Sequence, residues 1–193
     1  VWSGSPTPQL VTEASGLRPG SALDAGSGEG ADSIWLARRD WTVTAVDISS
    51  VALARAAGHA ADDAATAQRN TWVHNELAGW APPASAFDLA SAQFMHWPGA
   101  ERTAVYQRLA AAVAPGRTLL IVGHHPSDLA TGARRPPAAG AAVHSRGNRR
   151  RAGSRRVGDL VCQARRRPAK DTEGSPVTVR DSVLRARRGT RSA

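Results

Sequence analysis

The sequence is poor in cysteine: Cys162 stands alone among 193 residues, which excludes a disulfide framework and a cysteine metal site. It has no run of 18 apolar residues, so nothing in it reads as a membrane-spanning helix. No secretory signal is visible. The chain opens on Val1 rather than Met, and a trimmed start is expected. A soluble, cytoplasmic protein of one domain, or one domain plus a tail, is expected from this length. Trp, Phe and Tyr are absent after Tyr106: all six Trp, both Phe and the only Tyr lie at or before it. Acidic residues are also scarce there. Residues 131–193 hold 16 Arg, one Lys and four Asp/Glu, net +13, against eight Arg and 12 Asp/Glu in residues 1–130, net −4. The overall charge of +9 therefore averages two unlike pieces.

The first piece alternates strands and helices. Residues 21–25 read as a short buried strand entering a glycine turn. Residues 31–39 have helical spacing, with Ile34, Trp35 and Leu36 on the apolar side. Residues 42–46 are β-branched and stop at Asp47. Ser49 or Ser50 can cap an Ala-rich helix reaching about residue 61. A third strand is expected at 71–74 and, after Pro82 and Pro83, a fourth at Phe87–Ala92. Residues 100–113 are helical again. Ala114-Pro115-Gly116 ends that helix, and Thr118–Val122 is a buried fifth strand. The fold class this implies is α/β, a mostly parallel sheet with helices on both faces, whose ligands bind at the carboxyl ends of the strands.

One motif carries chemistry: Asp24-Ala25-Gly26-Ser27-Gly28-Glu29-Gly30. Glycines there allow a tight turn and close approach of a ligand to the main chain. Asp47 ends the next strand, 17 residues after Gly30, where a carboxylate can accept both hydroxyls of a ribose. A dinucleotide site wants G-x-G-x-x-G, whereas the spacing here is G-x-G-x-G with Asp two residues upstream. A pyrophosphate is repelled by Asp24 and Glu29, while an ammonium group is welcomed by Asp24. S-adenosylmethionine (SAM) is favoured over NAD, and a nicotinamide oxidoreductase is the disfavoured alternative.

With these residues in hand, the first two thirds of the chain resembles the class I, Rossmann-like SAM-dependent methyltransferases. It most resembles the small bacterial group similar to the tellurite-resistance and thiopurine methyltransferases. The matching stretches are Trp2–Pro6, Ala22–Gly30, Thr42–Ser49, Phe87–His96 and Gly123–Asp128. The resemblance implies that Asp24, Gly26 and Gly28 hold the methionine end of SAM, with Ser27 standing where relatives usually carry Cys or Gly. It implies Asp47 on the ribose, Ile48 against the adenine, and the segment Val73–Leu77 following the third strand. There Glu76, beside Leu77, replaces the usual Asp and can still accept from the adenine amino group. Gln93 is implied beside the methionine part, Trp2 over the cofactor, and His96 and Trp97 near the acceptor. The product is S-adenosylhomocysteine and the partner a small-molecule methyl acceptor.

A general base is needed for a hydroxyl acceptor and not for a thiol or other soft anion. His96 and His124 are the catalytic candidates. His124 and His125 are adjacent on a strand and point to opposite faces, with no carboxylate or cysteine cluster beside them, so no metal is expected. Trp35, Trp41 and Trp72 read as packing residues, and Trp80 is open between packing and function.

After Asp128 the expected pattern stops. Ala133–Arg167 is Arg, Ala, Gly and Pro without periodicity. The domain organisation is therefore a SAM-binding core over 1–130, a segment 131–167 that is either disordered or displaced in reading frame, and a remnant of the last strand plus a basic tail over 168–193. Back-translated and read one nucleotide later, His144–Arg150 allows Thr-Pro-Glu-Glu-Ile-Ala-Ala, a helix start of the missing kind. Pro176–Arg187 alternates like the expected last strand. If the chain is as printed, a covering helix and the sixth strand are expected to be disrupted, leaving an exposed edge and low stability. Two further function classes follow: a nucleic-acid methyltransferase docking through the basic tail, lacking aromatics for base stacking, and a non-catalytic SAM-binding remnant.

Overall fold

The computed structural model describes residues 4–95, 97, 99–127, 157–171 and 173–190. Seven strands form one sheet in the order β3-β2-β1-β4-β5-β7-β6. Strands β1 (Ser21–Ala25), β2 (Thr42–Asp47), β3 (Asn70–His74), β4 (Phe87–Gln93) and β5 (Val113–His124) run parallel. Strand β7 (Pro176–Arg188) returns antiparallel beside β5, and β6 (Val157–Lys170) pairs antiparallel with β7 at the edge. The sheet reverses its order between β1 and β4, which puts a crevice at their carboxyl ends.

The helices lie where the apolar spacing requires. α2 (Ala31–Ala37) and α3 (Ser50–Ala60) follow β1 and β2, and the Ser49 hydroxyl caps α3 by accepting from the Ala52 N–H at 3.2 Å. On one sheet face Leu23, Val46, Ala90 and Ile121 pack with Val105, Tyr106 and Leu109 of α5 (Gly99–Ala112). On the other face Ala22, Val43, Leu89, Leu120 and Val183 pack with Leu36, Trp41 and Leu10. Leu10 belongs to α1 (Pro8–Ala14), a two-turn helix with Pro at its start that the periodicity did not reveal. A second unforeseen helix, α4 (Ala64–Arg69), is too short to carry a readable repeat. The stretch between β3 and β4 has no helix and turns at Glu76–Trp80, with the Gly79 and Trp80 N–H groups donating to the Glu76 carbonyl, and again at Ala84–Ser85. β5 starts at Val113, earlier than expected, because Gly116 takes φ +76° and lets the Ala-Pro-Gly segment bend within the strand.

The carboxyl-terminal piece corrects the expectation of a disrupted sixth strand. β6 begins inside the segment expected to be unpaired, crosses residue 167, and lies in register with β7 from Val157↔Arg188 to Lys170↔Pro176. The hairpin between them is closed by Asp171, whose carboxylate accepts from the Glu173 and Ser175 N–H groups at 2.9 and 2.8 Å. The physical reason is charge pairing, which composition cannot show. Arg165 and Arg185 both reach the buried carboxylate of Glu13 on α1. Arg167 donates to both oxygens of Asp181, at 3.1 and 2.8 Å, and Gln9 adds a bond to the same carboxylate at 3.3 Å. These arginines are counter-ions for acids inside the fold. The expected covering helix falls on residues outside the described set, and the segment expected to be displaced in frame is described only from Val157 onward.

Asp181 is fully buried, so removing its charge leaves Arg167 without its partner. Asp181→Ala is expected to cost about 3–5 kcal/mol, as for other broken buried pairs. Urea unfolding followed by far-ultraviolet dichroism measures this, and a midpoint matching the parent chain would mean that the pair does not anchor β6.

Candidate functional site

The glycine turn is shaped by its own backbone demands. Gly26, Gly28 and Gly30 take φ of +77°, +54° and +87°, a region that side-chain-bearing residues rarely adopt. The turn is tied to the end of β2. The Gly26 and Ser27 N–H groups donate to the Val46 carbonyl at 2.8 and 3.1 Å. The Gly28 N–H donates to one carboxylate oxygen of Asp47 at 2.8 Å, and the Ser49 N–H to the other at 2.8 Å. A Cβ on Gly30 would come within 2.8 Å of both Ala56 and the Trp72 ring, so only glycine lets α2 start this close to α3 and β3.

The segment after β3 is brought to the same rim. His74 Nε2 lies 2.9 Å from the Ile48 carbonyl, and the Asn75 N–H donates to the Asp47 carbonyl at 3.0 Å. The result is a cleft of about 140 Å³. Gly26, Asp47, Ile48, Glu76, Leu77 and Met95 line it. Asn75, Ala78, Trp97 and Glu101 complete its wall. Ile48 is 64% exposed at the edge, an apolar surface available to a flat ring. Small-molecule pockets usually run about 300–1,000 Å³, and Met95 accounts for part of the difference. Its thioether occupies the place a Cβ on Gly26 would take. Methionine has flexible torsions and can leave that position at small cost.

Behind the turn lies a carboxyl group in an unusual state. Asp24 is buried and accepts a hydrogen bond from Ser33 Oγ at 2.6 Å. Burial, and then the neighbouring Asp32 carboxylate, push its pKa up to about 7, with Asp47 adding to the rise and Ser33 opposing it. Asp32 is itself raised by burial and accepts from the Thr7 N–H and hydroxyl at 2.6 and 2.9 Å, fastening the amino-terminal segment to α2. Glu29 is held low by Arg55 at 2.9 Å, with His59 also near. Acids thus surround the turn, and such a site attracts a cationic group and repels a pyrophosphate.

The residues fit a ligand of the ammonium–sulfonium kind. Ser27 Oγ and Gln93 Oε1 are buried polar atoms without a hydrogen-bond partner among the described residues. Unpaired buried polar atoms are uncommon in a finished core and mark places where a ligand or water completes the bonding. The turn at Gly26 is open to the cleft, and Asp47 retains lone pairs after its two backbone bonds.

The structure brings Gly26, Asp47, Ile48, Glu76 and Leu77 to one cleft, with Asp24, Ser27 and Gly28 beneath or beside it. Gln93 sits at the end of β4, its amide donating to Ser91 Oγ at 2.8 Å, beside Asp24, which is in register with Ser91. His124 ends β5 with its ring 4.8 Å from Phe94, and its β7 neighbour is Asp181. It does not line the cleft. Trp2 and His96 lie outside the described residues. Among the described residues no group of three metal-binding side chains exists, and no helix is long and apolar enough to cross a membrane. Trp35 carries the Arg39 guanidinium 4.0 Å above its ring, while Trp41 is buried and Trp72 and Trp80 are partly buried against the two cores.

Sequence reasoning missed Ser33, Asp32, Phe94, Met95 and Glu101. Phe94 takes φ +52° directly after β4, a strained conformation for a bulky residue and one that tends to occur at functional sites. Only Met95 offered a signal, being the chain's single methionine and standing just beyond a strand that ends at the rim.

Residues 22–116 match the family model described as a methyltransferase domain. No curated protein matches the chain. Among solved structures, a SAM-dependent methyltransferase from Methanosarcina mazei superposes with a TM-score of 0.73 at 18% identity, covering 97% of this chain and 100% of that one. TehB from Haemophilus influenzae gives 0.73 at 15% identity, covering 94% of this chain and 62% of its own. Magnesium protoporphyrin IX methyltransferase (ChlM) from Synechocystis, solved with bound SAM, gives 0.64 at 20% identity, covering 94% and 76%.

Asp24 links the site to stability. Its folded pKa lies above its unfolded value, so the stabilising effect of its proton is complete below about pH 4 and is lost as pH rises through about 7. The melting temperature of the parent chain is expected to fall across that window, and Asp24→Asn to flatten the fall. At pH 8 the variant is expected to melt higher. Thermal melts at half-unit pH steps test this, and an unchanged profile would show that Asp24 ionises normally.

Proposed function

We propose, from the match of residues 22–116 to the methyltransferase-domain model, that this chain is a class I, SAM-dependent methyltransferase transferring a methyl group from SAM to a small-molecule acceptor. The observation that supports the reading most is the Asp47 carboxylate bonded to the Gly28 N–H at the rim of the sheet, beside the buried Asp24. In this reading Asp24 and the backbone of Gly26–Gly28, with Ser27, receive the methionine end of the cofactor. Gln93 borders the same part. Asp47 accepts from the ribose hydroxyls, Ile48 and Leu77 pack on the adenine, and Glu76 accepts from its amino group.

The sulfonium of SAM supplies an already activated methyl group when bound. The chain's own residues hold the partners in line and keep water out, an effect of roughly 7–11 kcal/mol where alignment is good. A small acceptor is favoured over nucleic acid by charge. Asp47, Glu76 and Glu101 line the cleft and, among the described residues, no basic side chain does, so a phosphate backbone meets acids there. Arg165 and Arg167, which a nucleic-acid reading would enlist, are engaged with Glu13 and Asp181. For a hydroxyl acceptor, His124 at the end of β5, or His96, serves as general base. A thiol needs neither.

Calorimetric titration is expected to give one site for SAM and for S-adenosylhomocysteine and no heat for NADH. Asp47→Ala is expected to weaken SAM binding about 10- to 100-fold, since a hydrogen bond to a charged group contributes about 1.5–3 kcal/mol. Binding of NADH in place of SAM would end the reading. With labelled SAM and a saturating hydroxyl acceptor, one of His124→Ala and His96→Ala is expected to slow turnover by about 10²–10⁴, and neither is expected to slow a thiol acceptor. Normal turnover of both by His124→Ala and by His96→Ala would remove the base role.

A further inference from the structure

A second cleft, of about 280 Å³, opens at the amino-terminal ends of the strands, the end of the sheet away from the glycine turn. Arg18, Arg117, Arg185 and Arg187 line it, with Asp88 the one acid among the described lining residues and Trp41 in its wall. Its volume is twice that of the cofactor cleft. The charges come from three separate parts of the chain. Arg18 lies in the loop between α1 and β1 and is exposed. Arg117 comes from β5 and Arg185 and Arg187 from β7.

These side chains are partly held in place. The Arg117 Nε lies 2.8 Å from one oxygen of Asp88, whose other oxygen accepts from the Ser21 N–H at 2.9 Å. The Arg187 Nε donates to the Gly116 carbonyl at 2.8 Å. Arg185 is shared with Glu13 at 3.0 Å. A guanidinium has five N–H donors, so the bonds of Arg117 and Arg185 leave others for a ligand, and Arg18 lies exposed beside them. A guanidinium fork matches the spacing of phosphate oxygens. The lining residues sum to +3, or +2 when Glu13 is counted. A single phosphate ester carries about −1.5 to −2, so the lining matches one to two phosphate groups.

We propose that this cleft binds a small molecule bearing a phosphate or diphosphate group, at a site separate from the cofactor cleft. A long nucleic-acid track is less suited, because the four arginines are gathered around one cleft.

Inorganic diphosphate is the probe. Calorimetry on the full chain, at fixed ionic strength, is expected to show one saturable site, with SAM affinity unaltered. Arg18→Glu, at an exposed loop position, is expected to weaken diphosphate binding at least tenfold. Arg187→Ala is expected to weaken it severalfold, and both variants should bind SAM as the parent does. No saturable binding, equal binding of sulfate, or unchanged affinity in Arg18→Glu would overturn the proposal. So would displacement by a single-stranded 20-nucleotide DNA at far lower concentration than diphosphate, which would make the cleft part of a nucleic-acid surface.

Discussion

Asp47 is the point on which the site depends. Its two carboxylate oxygens accept from backbone N–H groups on either side of the crevice, Gly28 in the turn after β1 and Ser49 before α3. Its own carbonyl accepts from Asn75 after β3. One residue thus ties together the segments that follow three neighbouring strands. The parallel register of those strands brings their carboxyl ends level, with Ala25 beside Val46 and Asp47 beside His74. A ligand reaching over β1 and β2 therefore meets residues from four parts of the chain without any long loop having to be ordered.

Charge is segregated along the sheet. The carboxyl-terminal rim beside β1 and β2 gathers Asp24, Asp32 and Asp47, while arginines gather at the opposite end and along β6. The acidic rim favours a cationic cofactor at a cost to the fold. Desolvation of Asp24 lifts its pKa into the neutral range, so at higher pH the folded state must hold a buried charge that a bound ammonium group would offset. The arginines beside α1 work in the other sense. Glu13 and Asp181 are buried, and without Arg165, Arg167 and Arg185 they would be uncompensated charges.

This pairing explains how a strand with three consecutive arginines, Arg165-Arg166-Arg167, lies at the sheet edge. Side chains alternate along a strand, so Arg165 and Arg167 point together toward α1 and Arg166 away from it. Charged edge strands also resist pairing with a second sheet. The stretch matching the methyltransferase-domain model spans residues 22–116, and the β6–β7 hairpin beyond it completes the second core through Val183 and the first through Leu184.

The features legible in the sequence were those with local causes. Three glycines in G-x-G-x-G mark positions that need positive φ. A β-branched run ending in Asp47 marks a strand and its rim residue. Ser49 marks a helix start, and Pro176–Arg187 reads as an alternating strand; each follows from neighbours a few residues away. What only the tertiary structure decided rests on partners far apart in the chain. Arg165 meets Gln9 and Asp181 meets Gln9 across 156 and 172 residues, and those contacts turn an unpatterned basic stretch into β6. The strained backbone of Phe94, the seating of Met95 on Gly26, and the raised pKa of Asp24 likewise arise from packing and burial. Composition records which charges a chain owns, but hydrogen-bond partners and desolvation are set only when the sheet closes around them.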